Sequence, residues 1–164
     1  MNKKQHNISL YVNNKPGVLI RIALVFARRG YNIDSLVVSG SNDPDFSRMT
    51  ITATGDPDTL NLMLKQLNRL VDVVYAKDLT DLPVLKKELA LFKVRTTDET
   101  RTEILQLIHA FGVNPMDISP DCVVFSIDAS GEKIDGIRQV LTPYGLIEVI
   151  RSGKIIMSRG AERT

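Results

Sequence analysis

Residues 7–29 read NISLYVNNKPGVLIRIALVFARR, and this stretch decides the fold. Up to residue 12 the apolar residues alternate with polar or aromatic ones, which is the two-residue period of a β-strand. After the Pro16-Gly17 pair the apolar residues recur three and four apart, which is helical spacing, and Gly30 ends the helix. The stretch therefore predicts a strand, a tight turn and a helix in direct succession.

The residues that follow complete a unit of six elements. Residues 31–39 and 46–54 are rich in strand-forming side chains and are separated by a polar turn that contains Pro44. Asp56-Pro57 announces a second helix, because an aspartate caps the helix and proline is favoured in its first turn. A strand over 71–79 follows. The order βαββαβ is the ferredoxin-like plan.

The same order recurs in the second half of the chain. Residues 89–95 form a strand, Thr97-Asp98 caps a helix that ends at Gly112, and strands follow at 116–119 and 123–128. Another helix ends at Pro143 to Gly145 before a strand over 146–150. We predict an α+β protein with two ferredoxin-like βαββαβ domains, at residues 1–79 and 80–164, the second of which includes a tail from 152.

The first helix is apolar nearly all round, with Arg21, Arg28 and Arg29 as its clearly polar residues. One face of a helix packs on its own sheet, but a single sheet cannot cover the other apolar face. Because units this small gain stability from association, we expect a second copy of the chain to cover that face. The pattern predicts a homodimer.

Composition excludes several classes of protein. The chain has 164 residues and a net charge of +2, and no face concentrates basic residues as nucleic-acid binders do. The longest apolar run, near residues 22–27, is too short for a membrane span. A single cysteine, Cys122, excludes an internal disulfide and favours a reducing compartment. We expect a cytoplasmic protein that binds neither nucleic acid nor membrane.

No catalytic or metal-binding set is apparent in the sequence. Cys122 lies in an apolar strand, His109 lies near a helix C-terminus, and His6 has no visible partner. These residues lack the spacing of metal ligands, and no glycine-rich phosphate loop occurs. RNA-recognition modules share this plan, but their central strands carry stacking aromatics, whereas these strands offer only Tyr11. We expect neither a catalytic nor a metal site.

The turn Asn14-Lys15-Pro16-Gly17-Val18-Leu19 is the most informative site. A helix start exposes backbone N–H groups that have no acceptor within the helix, together with a partial positive charge. Gly17 allows a ligand carboxylate to approach the backbone, and the Asn14 side chain can donate or accept a hydrogen bond. The spacing alone equally fits a structural explanation, in which Asn14 caps the helix and Gly17 only suits the turn.

The strand-Asn-x-Pro-Gly-Val-Leu-helix start resembles the ACT domain, a ligand-sensing module of proteins in amino-acid biosynthesis. Other segments resemble the small, regulatory subunit of acetolactate synthase (acetohydroxyacid synthase). These segments span nearly the whole chain, and they are RRGYNIDSL at 28–36, SRMTI at 47–51, LVDV at 70–73, IRSG at 150–153 and SRG at 158–160.

The resemblance implies a non-catalytic subunit that activates a separate catalytic subunit and confers feedback inhibition by valine in branched-chain amino-acid biosynthesis. It implies that thiamine diphosphate, FAD and magnesium belong to the catalytic subunit, and that this chain binds no cofactor. Valine is expected at an interface between two ACT domains, and leucine or isoleucine is expected to bind more weakly. One chain would contribute the turn, and the facing chain the strand after the helix; the predicted effector-binding residues are Asn14, Gly17, Val18 and Leu19 from the first, and Asn32, Ile33 and Val38 from the second.

Three other readings stay open at this point. The chain could be an ACT-domain regulator that senses another amino acid. It could be a small ferredoxin-like enzyme such as an acylphosphatase-like hydrolase, although no activated nucleophile is visible. A nucleic-acid-binding regulator with ACT domains would need a DNA-reading element, and no segment is left over for one.

Overall fold

A computed structural model of the chain describes residues 4–164. The elements of the first half are β1 (Lys4–Asn13), α1 (Val18–Arg28), β2 (Asn32–Gly40), β3 (Phe46–Gly55), α2 (Pro57–Leu67) and β4 (Val73–Asp78). Those of the second half are β5 (Val84–Arg95), α3 (Arg101–Ala110), β6 (Pro115–Ile118), β7 (Cys122–Ala129), α4 (Gly131–Leu141), a short 3-10 helix (Thr142–Tyr144), β8 (Leu146–Arg151) and β9 (Ile155–Ser158).

Each half forms an antiparallel sheet with the same strand order. The first sheet runs β2-β3-β1-β4 and the second runs β6-β7-β5-β8. These orders and the βαββαβ succession confirm the predicted α+β, ferredoxin-like fold of both halves. In the first sheet β2 is an edge strand, so one side of its backbone is not paired with another strand of the sheet.

The core of the first unit lies between one sheet face and the two helices. The alternation predicted for β1 holds, since Ile8, Leu10 and Val12 are all fully buried. Helix α1 contributes Val18, Ile22 and Phe26 to this core. Helix α2 begins at the predicted cap: the Asp56 carboxylate accepts the N–H of Thr59 at 3.0 Å. That bond holds the pKa of the Asp56 carboxyl below its ordinary value.

The second unit is built the same way around Phe92 and Phe125, whose rings stack with centroids 5.1 Å apart. Its first helix begins later than predicted. Thr97 and Thr100 hydrogen-bond each other through hydroxyl and backbone groups, and the helix starts after Thr100. Asp98 therefore lies in the turn before the helix, because the two threonines already satisfy the local N–H groups.

The division between the units differs from the predicted boundary at 79/80. Of the described residues, one unit comprises 4–86 and Lys154–Thr164, and the other comprises Lys87–Gly153. The strand predicted at residues 89–95 begins earlier, since β5 starts at Val84 and β9 pairs with it. The tail groups with the first unit because Ile156 is buried and Tyr75 and Arg48 bind the carbonyl oxygen of Thr164.

The described helices include none that is both long and apolar enough to cross a membrane.

A glycine in β3 leaves room for an aromatic ring. A Cβ atom on Gly55 would lie 2.2 Å from ring atoms of Tyr31, whose hydroxyl donates to the carbonyl of Asp56. We expect Gly55→Ala to lower the free energy of unfolding of the first unit by about 2 kcal/mol, because the buried ring must move. Urea-dependent hydrogen exchange of the β1 and β3 amides measures this effect.

The matched control is Gly40→Ala, at the end of β2. No atom lies within 4 Å of the position that its Cβ would take. We expect this variant to differ from the wild type by less than about 0.5 kcal/mol. Equal losses in the two variants would contradict the packing argument.

Candidate functional site

The turn between β1 and α1 is fastened to the loop between β2 and β3. The N–H of Asn14 donates to the carbonyl of Asp45 at 2.7 Å, and its side-chain Nδ2 donates to the carbonyl of Pro44 at 3.1 Å. The Asn14 side chain is exposed. Its amide oxygen accepts no hydrogen bond from the described residues, so it is available to a ligand donor such as an α-amino group.

The helix that follows presents backbone donors. Gly17, with φ of +83°, adopts the left-handed conformation that glycine favours, and no side chain caps the helix. The N–H of Val18 faces the carbonyl of Lys15 at 3.4 Å, but no described residue accepts from the N–H of Leu19 or Ile20. Two such donors at a helix N-terminus can bind a carboxylate.

An arginine that the sequence analysis did not assign to the site lies beside Gly17. The Arg21 guanidinium binds the Asp72 carboxylate, with Nη2 at 2.6 Å and Nε at 2.9 Å from the same oxygen. A Cβ atom on Gly17 would lie 3.3 Å from Arg21 Nη1. The signal was present in the sequence, because Arg21 is one helical turn after Gly17.

Apolar side chains on one side of α1 remain exposed. Leu19 is 41%, Leu24 44% and Ile20 66% exposed, which agrees with the expectation that its own sheet cannot cover this helix. The Val18 side chain is 2% exposed and belongs to the core, so it does not contribute to the exposed apolar surface of the helix. Val18 can contribute to the site through its backbone alone.

Asn32 and Ile33 lie at the opposite end of the sheet from the turn. Asn13, the residue before the turn, pairs with Phe46, whereas Asn32 pairs with Thr54. Eight residues of β3 separate these partners, which corresponds to about 27 Å. One chain therefore does not bring the two predicted halves of the site together.

The Asn32 side chain has a partner within its own strand. Its Nδ2 donates to Asp34 at 2.9 Å, and the Thr54 hydroxyl donates to the other Asp34 oxygen at 2.6 Å. Desolvation raises the pKa of Asp34, but these two bonds, a bond from Gln5 and the charge of Lys154 together outweigh it, and the pKa lies below its ordinary value. The charged Asp34 carboxylate thus accepts a hydrogen bond from the Asn32 amide and fixes the position of that side chain.

Val38 lies on the half of β2 that is nearer the turn. It pairs with Met49, whereas Ile33 pairs with Ala53, a separation of about 14 Å along β3. Its side chain is 44% exposed. Its position groups Val38 with the turn of its own chain rather than with Asn32 and Ile33, which differs from the predicted grouping.

Cys122 and His6 both lie in strands. Cys122 is half-buried in β7, and His6 is buried with its Nε2 atom 3.4 Å from the carbonyl oxygen of Gly55. Within residues 4–164 no three His, Cys, Asp or Glu side chains group as metal ligands do. The turn offers a ligand one amide oxygen and two backbone N–H donors.

Both halves of the chain match known sequence families. Residues 8–75 match the family described as an "AHAS small subunit-like ACT domain", and residues 87–160 match the "Small subunit of acetolactate synthase". A protein of Methanothermobacter thermautotrophicus named "Probable acetolactate synthase small subunit" is 41% identical over 98% of this chain and 96% of its own length. The acetolactate synthase small subunit of Aquifex aeolicus is 39% identical over 95% of this chain and 82% of its own.

A solved structure shows the same likeness. The crystal structure of the acetolactate synthase small subunit from Thermotoga maritima aligns with a TM-score of 0.86 at 35% identity. The alignment covers 97% of this chain and 99% of that one.

Proposed function

The chain belongs to the family of acetolactate synthase small subunits, and we propose on that basis that it regulates a separate catalytic subunit and confers feedback inhibition by valine. It carries out no reaction itself. Thiamine diphosphate, FAD and magnesium are bound by the catalytic subunit. The single Cys122 supports a cytoplasmic location.

The observation that carries the effector site is the position of Asn32 relative to the turn. If two β2 edges pair antiparallel with Leu36 of one copy opposite Leu36 of the other, Asn32 of one copy lies beside Gly40 of the other, at the sheet end that holds the turn. Valine then lies between two chains, with its carboxylate at the Leu19 and Ile20 N–H groups and its ammonium near the Asn14 oxygen. Such a dimer also covers apolar side chains of α1.

The isopropyl group of valine needs an apolar pocket, for which Leu19 and Val38 of one copy and Ile33 of the other are available. Discrimination of one methylene in such a pocket amounts to about 1–3 kcal/mol. Leucine and isoleucine therefore bind as well, but more weakly.

Regulation follows from a shift of population. Valine contacts two copies at once, so it stabilises the dimer arrangement that it bridges over any other arrangement. The catalytic subunit holds the regulatory dimer in one arrangement, and the coupling free energy between the two sites sets the degree of inhibition.

Calorimetry of the purified chain with L-valine tests the effector. We expect saturable binding, with one or two valines per dimer, and much weaker binding of D-valine, whose ammonium and side chain exchange places. Absence of L-valine binding, or equal binding of both enantiomers, would contradict the proposed effector site.

Activity of the cognate catalytic subunit tests the regulatory role. Addition of the chain should raise the acetolactate-forming rate, and valine should lower the rate of the mixture but not that of the catalytic subunit alone. A rate that does not respond to the chain would contradict regulation, whatever the calorimetry shows.

A further inference from the structure

The face of the first sheet that lies away from α1 and α2 is polar but buried. Ser9 and Thr52 are 0% and 1% exposed, and Asn7 and Thr50 are equally enclosed at 5% each. Among the described residues the Ser9 hydroxyl has no hydrogen-bond partner. Burial of a polar group that has no hydrogen-bond partner costs free energy. A segment that covers this face therefore packs on it less favourably than on an apolar face.

Residues 155–164, which we call the strap, bind to this face. The Tyr75 hydroxyl donates to the carbonyl oxygen of Thr164 at 2.6 Å, and the Arg48 guanidinium donates to the same oxygen. Lys77 Nζ donates to the carbonyl of Arg163 at 3.2 Å. The strap is also closed on itself, since the N–H of Ser158 donates to the Thr164 hydroxyl at 2.7 Å.

Apart from the pairing of β9 with β5, the strap is held by few groups. Ile156 is its one buried apolar residue, and Thr164 its one buried polar residue, whereas residues 159–163 are exposed. A segment with little buried apolar area opens at a lower free energy than the core strands. Residues 159–164 are therefore suited to release from Arg48 and Tyr75 while β9 stays paired with β5.

A continuous set of contacts joins the strap to the effector turn. The Tyr11 ring stacks on Tyr75 with centroids 5.6 Å apart, and the Arg48 guanidinium lies 5.4 Å from the Tyr11 ring centre. The Tyr11 hydroxyl bonds the Ser41 hydroxyl at 3.2 Å.

Ser41 belongs to the β2–β3 loop that holds the turn. Its hydroxyl donates to the carbonyl of Asp43 at 2.8 Å, and the next two carbonyls of this loop, those of Pro44 and Asp45, accept from Asn14. A shift of the loop therefore changes its hydrogen bonds to Asn14 and to Tyr11.

We propose that the end of the strap is a releasable element coupled to the effector turn, so that binding of an amino acid at Asn14 loosens residues 159–164 from Arg48 and Tyr75. The inference rests on the proposed function. A ligand ammonium bound at Asn14 Oδ1 draws the amide toward the helix start, and this displacement lengthens the bond from Asn14 Nδ2 to the carbonyl of Pro44. The loop is then freer to move and, through Ser41, so is the Tyr11 ring beside Arg48. Coupling is reciprocal, so release of the strap favours the ligand by the same factor.

Hydrogen exchange of the full chain tests the contact path without any ligand. The reporters are the amides of Ser158 and Arg159, which donate to Thr164 and to the carbonyl of Pro83. We expect Asn14→Ala to speed their exchange at least threefold. Asn61→Ala, the same substitution at an exposed position of α2, should leave it unchanged. Equal exchange in both variants would overturn the coupling.

Valine supplies the second test. We expect saturating L-valine to speed exchange of the same two amides at least threefold, and Arg48→Met, which removes the donor to Thr164, to tighten valine binding three- to tenfold by calorimetry. Arg69→Met, at an exposed arginine of the same unit, is the matched control and should bind valine as the wild type does.

The outcomes separate the two proposals. If valine binds but neither changes strap exchange nor responds to Arg48→Met, the coupling is wrong and the effector site stands. If valine does not bind at all, the proposed effector fails and the coupling falls with it.

Discussion

Replacement of Gly17 by aspartate is expected to weaken valine binding at least about 100-fold, equivalent to roughly 2.7 kcal/mol. The new carboxylate lies at the helix start where the valine carboxylate is proposed to bind, and two like charges repel at such a distance. The Cβ atom of the new aspartate would lie 3.3 Å from Arg21 Nη1, so its carboxylate also attracts the Arg21 guanidinium. Calorimetry with L-valine measures the loss.

Activation of the catalytic subunit should survive this substitution. A non-glycine residue at a positive φ costs about 1 kcal/mol, and an acidic residue at a helix N-terminus offsets part of that cost. The expected variant activates normally but is insensitive to valine in the rate assay.

Gly112→Asp is the matched control for this prediction. Gly112 follows α3 in the second unit with φ of +80°, and no atom lies within 4 Å of the position of its Cβ. This variant introduces the same side chain and similar backbone strain in the unit that lacks the proposed effector residues, so valine affinity should be unchanged. A parallel loss of affinity in both variants would assign the effect to general destabilisation and contradict the site.

The largest effect on stability is expected at a buried ion pair in the second unit. Glu88, at 4% exposure, receives two hydrogen bonds from Arg151, Nε to Oε1 at 2.8 Å and Nη2 to Oε2 at 2.6 Å. Arg151 also binds Asp135 at 2.8 Å, and its pKa is raised, chiefly by the bonds to Glu88. The pair joins β5 to β8.

We expect Glu88→Ala to lower the free energy of unfolding of residues 87–153 by about 3 kcal/mol. This is the lower end of the range for breaking a buried ion pair, because Arg151 keeps partial access to water and its bond to Asp135. Lys87→Ala is the control. Lys87 pairs with Asp128 at 3.4 Å with both side chains more than half exposed, so less than about 1 kcal/mol should be lost.

Urea-dependent hydrogen exchange of the β5 and β7 amides measures the free energy of unfolding of the second unit by itself in both variants. A single global unfolding transition would mix the stabilities of the two units. Losses of similar size at positions 87 and 88 would show that burial does not set the strength of these pairs.

Local pattern determined most of the elements. The alternation of residues 8–12, the Asp56-Pro57 helix start and the apolar stripes each depend on neighbours a few residues away, so they can be derived from the sequence. The same holds for the turn at Gly17, whose left-handed backbone follows from glycine itself. The resemblance of 28–36 and 47–51 to a known family added the function that local pattern alone could not supply.

Contacts between distant segments were decided only by the tertiary structure. Strand β5 begins at Val84 and pairs with β9, and the tail returns to the first unit because Arg48 and Tyr75 bind Thr164. Alternation marks a polar face on β1, but it cannot show that Ser9 is enclosed.

The effector turn shows the same division. Its donors follow from the residues themselves, whereas the placement of Asn32 at the far end of the sheet, about 27 Å away, follows from strand register. Periodicity specifies which face of an element is buried, but not which remote segment covers it, because that choice depends on the packing free energy of the whole chain.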